Sequence, residues 1–244
     1  LTPTPPILTV LFYSAAAAGL SVAGVLPVLR RDRLPLRWMG WANALAGGVM
    51  IGAAYALTVH VDEALELGAG ALLGILFIHW SHMGIGTEEL DLNSVEQMEP
   101  AYGYRVMLMT VLHSGWEGVA IGTAAVVDLS FGIFLALALA VHNVPEATVL
   151  AAVLRGQGVR GRSVAALTVA VNVPQVLLAV SVYGVVSAAP ATLPWVAGFA
   201  VGALIDLVLV ELLAQSYRQA GKISIAVVAA VSMGIVVLVE GLLG

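Results

Sequence analysis

The sequence predicts an all-α integral membrane protein, a bundle of eight transmembrane helices, and three observations carry that expectation. The chain of 244 residues is 60% hydrophobic and only 10% charged, with a mean hydropathy of +1.00. A soluble domain usually carries about a quarter charged residues. The apolar residues gather into segments close to the ~20 residues that cross a ~30 Å hydrocarbon core. Finally, all ten Lys and Arg residues fall on one side of the resulting arrangement.

The segments lie at about 7–29, 40–61, 68–85, 105–127, 131–154, 164–186, 195–216 and 223–243. The separators carry helix breakers: Pro35, Gly68, Pro100, Asp128, the stretch from Gly156 to Gly161, Pro190 with Pro194, and Gly221. Eight spans occupy the chain as a single transmembrane domain, residues 1–244. The residues from Leu1 to Pro6 lack the basic region of a signal peptide and read as a short flexible lead-in. Arg30, Arg31, Arg33 and Arg37 flank the first connection, and Arg105 ends the third. Arg155, Arg160 and Arg162 lie in the fifth, Arg218 and Lys222 in the seventh, and the even-numbered connections hold none. The positive-inside rule therefore puts the odd-numbered connections in the cytoplasm and both termini outside.

Cysteine is absent, which excludes disulfides, thiolate metal sites and cysteine nucleophiles and leaves His, Asp, Glu, Asn, Gln and Met as ligands. Nothing is basic enough for nucleic acid. The longest connection, about 86–104, is acidic, with Glu88, Glu89, Asp91, Glu96 and Glu99 following His79 and His82. It reads either as a solvated loop or as a surface that receives cations.

Two stretches inside apolar spans carry the chemistry. His113-Ser114-Gly115-Trp116-Glu117 in the fourth span and His142-Asn143-Val144-Pro145-Glu146 in the fifth each place a histidine and a glutamate four residues apart. That spacing puts both on one helix face. An acidic residue at a helix centre in the bilayer costs roughly 2.5–3.5 kcal/mol on insertion scales. A divalent cation held between the two helices offsets that cost, and imidazole nitrogen with carboxylate oxygen suits zinc and admits iron, manganese, cobalt or cadmium. The alternative for a single pair is a hydrogen-bonded glue between helices. A third station, Asn172-Val173-Pro174-Gln175, repeats Asn-Val-Pro one span later with Gln in place of Glu. Polar groups at one depth on three successive helices can converge. Pro145 and Pro174 each remove a backbone donor and free a carbonyl, of Val141 and Ala170, as in the broken helices of transporter sites.

Helix seven carries Asp206 near mid-depth and Glu211 nearer the cytoplasmic end. Either is a supporting carboxylate or a stepping stone for a departing ion, and Glu211 is equally able to reach interfacial water. His60, Asp62, Glu63 and Glu66, at the outer end of the second span, read as a solvated helix end or as a cation-collecting entrance. Glu240 is expected at the exposed outer surface.

With these residues in view, the chain resembles the ZIP (Zrt/Irt-like) divalent metal transporters over nearly its whole length. His113-x-x-x-Glu117-Gly-Val-Ala-Ile-Gly is similar to that family's helix 4 signature, His142-Asn-Val-Pro-Glu146 to its helix 5 signature, and Gly198-Phe-Ala-Val-Gly-Ala-Leu-Ile, leading to Glu211, to its helix 7. The resemblance implies a principal transport site of His113, Glu117, His142 and Glu146. It also implies a second metal position at Ser114, Asn143 and Gln175 that shares the two glutamates. Here Ser114 replaces the usual Asn, Gly115-Trp116 replaces x-Pro, and Gln175 stands where some members have a bridging glutamate. With fewer anionic ligands the second position is expected to be weak, leaving an essentially mononuclear site. The resemblance further implies movement of divalent metal toward the cytoplasm by an elevator-like shift of one helix bundle against another.

The expected cargo is a divalent ion, zinc first, with no organic cofactor. The other expected partners are a lipid bilayer and, as a candidate assembly, a homodimer, in a bacterial cytoplasmic membrane. The rival readings are an intramembrane metalloenzyme and a metal-binding membrane sensor. The zincin motif His-Glu-x-x-His is absent, as are the Glu-x-x-His pairs of di-iron carboxylate proteins.

Overall fold

A computed structural model describes residues 5–30, 35–85 and 100–243, and the described residues with regular structure are all helical. The acidic residues Glu88, Glu89, Asp91, Glu96 and Glu99, the basic Arg31 and Arg33, and residues 1–4 lie outside them. The helices are α1 (Pro6–Leu20), α2 (Val22–Arg30), α3 (Leu36–Val59), α4 (Ala64–Ile85), α5 (Pro100–Val127) and α6 (Leu129–Gly156). They continue as α7 (Gly161–Ala170), α8 (Val173–Ala188), α9 (Leu193–Leu207), α10 (Leu213–Ala220) and α11 (Lys222–Leu243). A π-helical turn, Val208–Leu212, joins α9 to α10.

Seven of the resulting rods are long and apolar enough to cross a membrane, taking α1–α2, α7–α8 and α9–α10 each as one. The rod outside that group is α5. It is as long as α6, at 28 residues each, but His113, Ser114, Trp116 and Glu117 lower its mean hydropathy. The polar residues that make α5 interesting are the ones that weaken its membrane signature.

Three of the expected spans are interrupted, each for a local reason. In the first, Ser21 turns its hydroxyl onto Ala18 O at 2.7 Å and Thr168 O at 3.2 Å, and the helix restarts at Val22. In the sixth, α7 ends at Ala170 and α8 begins with Pro174 in its first turn. There the missing N–H of proline costs nothing, because the first donors of a helix have no partner anyway. Pro145, by contrast, sits inside an unbroken α6. In the seventh, the π turn rotates the residues after Val208, Glu211 among them. The fourth span, α5, begins at Pro100, so the long connection after α4 is shorter at its end than the expected 86–104.

Turns are capped where the chain must reverse. Asp128 alone separates α5 from α6, and its carboxylate accepts from Ser130 N at 2.8 Å and Phe131 N at 3.0 Å, a standard N-cap. Gly221, at φ +84° between α10 and α11, occupies a backbone region that other residues rarely enter.

Close packing divides the helices into two groups, α1, α2, α5, α6, α7, α8 on one side and α3, α4, α9, α10, α11 on the other. Within the first, Gly118 and Gly122 of α5 lie against the backbone of Gln175 and Ala179 in α8, and Gly24 against Val144 of α6. Within the second, Gly198 and Gly202 of α9 meet Leu67 and Ala71 of α4, Gly70 and Gly74 return the contact, and Gly48 of α3 meets Ala229 of α11. A Cβ at any of these positions would strike a carbonyl, the close approach that small residues provide between membrane helices. Every described glycine whose missing Cβ faces a neighbour faces one in its own group. Between the groups, α5 meets α9 and α3 meets α6 through ordinary side chains such as Met50, Leu57, Leu135, Leu139 and Leu204, and through Trp116 packed edge-on against Phe77 and Phe199. The same contacts set helix directions: α1–α2, α4, α6 and α9–α10 run one way and α3, α5, α7–α8 and α11 the other. The described Lys and Arg residues therefore collect at one end of the bundle.

Candidate metal site

The two His/Glu pairs face each other across the antiparallel α5 and α6. Glu117 does not close on His113 of its own helix. Its Oε1 lies 2.9 Å from His142 Nε2, and both side chains are almost wholly buried, at 0% and 2% exposed. One turn nearer the basic end, His113 Nδ1 lies 3.7 Å from Glu146 Oε1. Glu146 also keeps its i,i+4 partner, with Oε2 3.9 Å from His142 Nε2. It is thus the hinge of the constellation. On the far side of His113, Nε2 lies 3.3 Å from Glu211 Oε2 in the π turn. The order from the interior toward the basic end is Glu117, His142, Glu146, His113, Glu211.

Glu117, His142 and Glu146 form a group able to hold a metal ion, each offering one ligand atom, with these atoms all within 4.8 Å of one another. Bonds of ~2.0–2.1 Å to zinc would separate neighbouring ligand atoms by about 3.3 Å in a tetrahedron, close to the 2.9 and 3.9 Å found. The polar accounting points the same way. Glu117 Oε2 and His142 Nδ1 are buried and have no hydrogen-bond partner among the described residues. A buried unsatisfied group costs about 1–3 kcal/mol, and a charged one more. Two carboxylates and a divalent ion leave the site neutral, which removes the strongest objection to burying Glu117.

The other expected site residues are placed differently. Ser114, fully buried, donates its hydroxyl to Val171 O at 2.7 Å, with Val111 O at 3.0 Å. It therefore stitches α5 to the break between α7 and α8. Asn143 Nδ2 donates to Gln175 Oε1 at 3.0 Å and to Ala17 O at 3.2 Å. Its Oδ1 and Gln175 Nε2 are buried without hydrogen-bond partners among the described residues. A neutral amide pair thus joins α6 to α8, anchored to α1. Asp206 is half-buried on α9, outside the Glu117–His142–Glu146 group.

Sequence reasoning missed the backbone partners Ala17 and Val171 and the contact between Glu211 and His113. The signal for Val171 was Pro174, which marks the break. Nothing local signalled the π turn that brings Glu211 to His113.

At the opposite end, Glu240 is not the exposed residue expected. Its side chain is 14% exposed and lies 3.7 Å from His60 Nε2, because α11 packs along α3 to their shared end.

Fold and site together define a polytopic helical membrane protein with a buried His/carboxylate cluster between two of its helices. The comparisons make the class specific. Residues 82–239 match the Zip family model, described as ZIP Zinc transporter. The chain is also 31% identical over 236 residues to an Arabidopsis thaliana protein named "Putative zinc transporter", an alignment covering 92% of this chain and 37% of that protein. The chain belongs to the ZIP zinc transporter family. It spans little more than a third of the length of that plant relative.

Proposed function

We propose that this protein carries divalent metal cations, zinc first among them, across a membrane toward the cytoplasm. The observation that supports this reading above the others is the buried Glu117–His142–Glu146 group with its unsatisfied carboxylate oxygen. His113 completes the principal site through Glu146, and Glu211 takes the ion on toward the basic end. The metal exchanges hydration water for imidazole and carboxylate, and iron, manganese, cobalt and cadmium are the other ions such ligands accept. Asn143 and Gln175 supply no charge beside the two glutamates, which supports one ion per passage. Family membership favours a transporter over the enzyme and sensor readings.

In this proposal the single domain, residues 1–244, crosses the membrane eight times, α5 included. The basic end is cytoplasmic and both termini are outside. Transport proceeds by sliding the α5–α6 group against the α3–α9 group. That reading is supported by close glycine contacts within each group and ordinary side-chain packing between them. A homodimer and a bacterial cytoplasmic membrane belong to the same proposal. The Arabidopsis relative is a plant protein.

The test is zinc-65 uptake into proteoliposomes under an inward gradient, comparing the native chain with Glu146→Ala. Saturable uptake that the variant loses is expected. Background flux in both, with zinc bound by the native chain alone, would replace the transporter with a sensor or enzyme.

A further inference from the structure

A second His/carboxylate pair lies at the end of the molecule opposite the basic residues, far along α3 and α6 from Glu117 and His142. His60 follows the last residue of α3, and its Nδ1 lies 2.8 Å from Ala56 O. A carbonyl oxygen only accepts, so Nδ1 carries the proton and Nε2 of the neutral ring presents its lone pair. That lone pair faces Glu240 Oε1, 3.7 Å away on α11. With the ring neutral, two acceptors are aimed at each other, with side chains only 27% and 14% exposed. The ring cannot turn away freely. Its face is stacked on Phe131 at the start of α6, with centroids 4.5 Å apart and planes at 19°.

A positive charge between Nε2 and Oε1 resolves this arrangement. We propose that His60 Nε2 and Glu240 Oε1 form a second divalent-cation site, separate from the buried cluster, with water completing the coordination. Nitrogen and oxygen bound to one zinc-like ion lie about 3.3 Å apart, so the pair needs to close by only a few tenths of an ångström. Holding the histidine through its other ring nitrogen, as Ala56 O does, is the usual way a protein orients a metal-binding imidazole. Asp62 and Glu63, exposed just beyond His60, and the half-buried Glu66 add negative potential that raises the local cation concentration. The ion so bound ties α3 to α11 and presses the imidazole on Phe131 of the opposing helix group. With the orientation proposed above, this site stands at the external mouth.

The inference rests on the metal-transport reading, and the experiment separates the two. Zinc binding to the full chain in lipid nanodiscs is measured by equilibrium dialysis at pH 7.5 for the native protein, His60→Gln, Glu240→Gln and the double variant His142→Gln/Glu146→Gln. The native chain should bind two ions, each outer variant one, and the double variant one. One ion bound by the native chain and kept by both outer variants, an unchanged stoichiometry in His60→Gln, or loss of both ions in both outer variants overturns the site. Zinc-65 uptake on the same proteins isolates the parent reading. Full uptake by the double variant would remove the transport route through the buried cluster while leaving the outer stoichiometry to stand or fall by itself.

Discussion

Glu117 and His142, on neighbouring antiparallel helices, meet at 2.9 Å with both side chains almost wholly buried. The contact couples α5 to α6 by charge as well as by packing. It also leaves Glu117 Oε2 with nothing to accept from among the described residues. Breaking a buried pair by deleting one member strands the other, so the informative substitution is one that removes the charge and keeps the shape.

Glu117→Gln should separate stability from binding. The metal-free variant no longer buries a carboxylate, so its melting temperature in detergent is expected to equal or exceed that of the native chain. The native chain should gain about 2.7 kcal/mol from zinc at a hundredfold excess over Kd, and the variant should gain almost none. Thermal unfolding with and without zinc checks both halves. A variant that zinc still stabilises fully removes Glu117 from the site.

Binding requires neutral imidazole and ionised carboxylate, so protons compete with the cation. Zinc uptake is expected to fall as the external pH drops from 7.5 to 5.5, with the half-saturating zinc concentration rising by about tenfold or more. Uptake kinetics at fixed free zinc measure this, and a half-saturating concentration unchanged with pH would count against His/Glu ligation.

Ser114 distinguishes a ligand from a structural tie. Its hydroxyl proton goes to Val171 O at 2.7 Å, at the break before α8. Ser114→Ala should cost about 1–2 kcal/mol of stability by stranding a buried carbonyl, while the zinc Kd changes by less than threefold. A Kd weakened tenfold at unchanged stability would restore Ser114 as a metal ligand.

The residues show how far sequence reading reaches in such a protein. Apolar composition revealed a helical membrane protein because the bilayer acts on composition directly. The His113/Glu117 and His142/Glu146 spacings were legible because helix geometry is local. The exchange of partners was not, because it depends on the register between α5 and α6, set by packing such as Gly132 against Ala125. The place of Glu211 beside His113 depends on the π turn, and the burial of Glu240 on the pairing of α3 with α11. Both are tertiary facts with no signature in a short window.

The amide pair offers the sharpest remaining test of how charge sets occupancy. Asn143, next in sequence to His142, and Gln175, whose backbone packs on Gly118, satisfy each other through one hydrogen bond of 3.0 Å, leaving one polar atom of each amide without a hydrogen bond among the described residues. The geometry places polar groups close together, but the charge is missing. A second divalent ion beside the first meets only two glutamates already neutralised, and neutral amide oxygens compensate little of the repulsion at low dielectric. Asn143→Asp/Gln175→Glu keeps both shapes and adds two negative charges. Without metal these should repel each other and the existing carboxylates, lowering the melting temperature. With zinc they should recruit an additional ion, raising the stoichiometry by one and recovering the lost stability. Equilibrium dialysis against zinc, with melting followed in parallel, reads both effects. An unchanged stoichiometry would mean that the helix spacing, and not the neutral amides, limits the site to one ion.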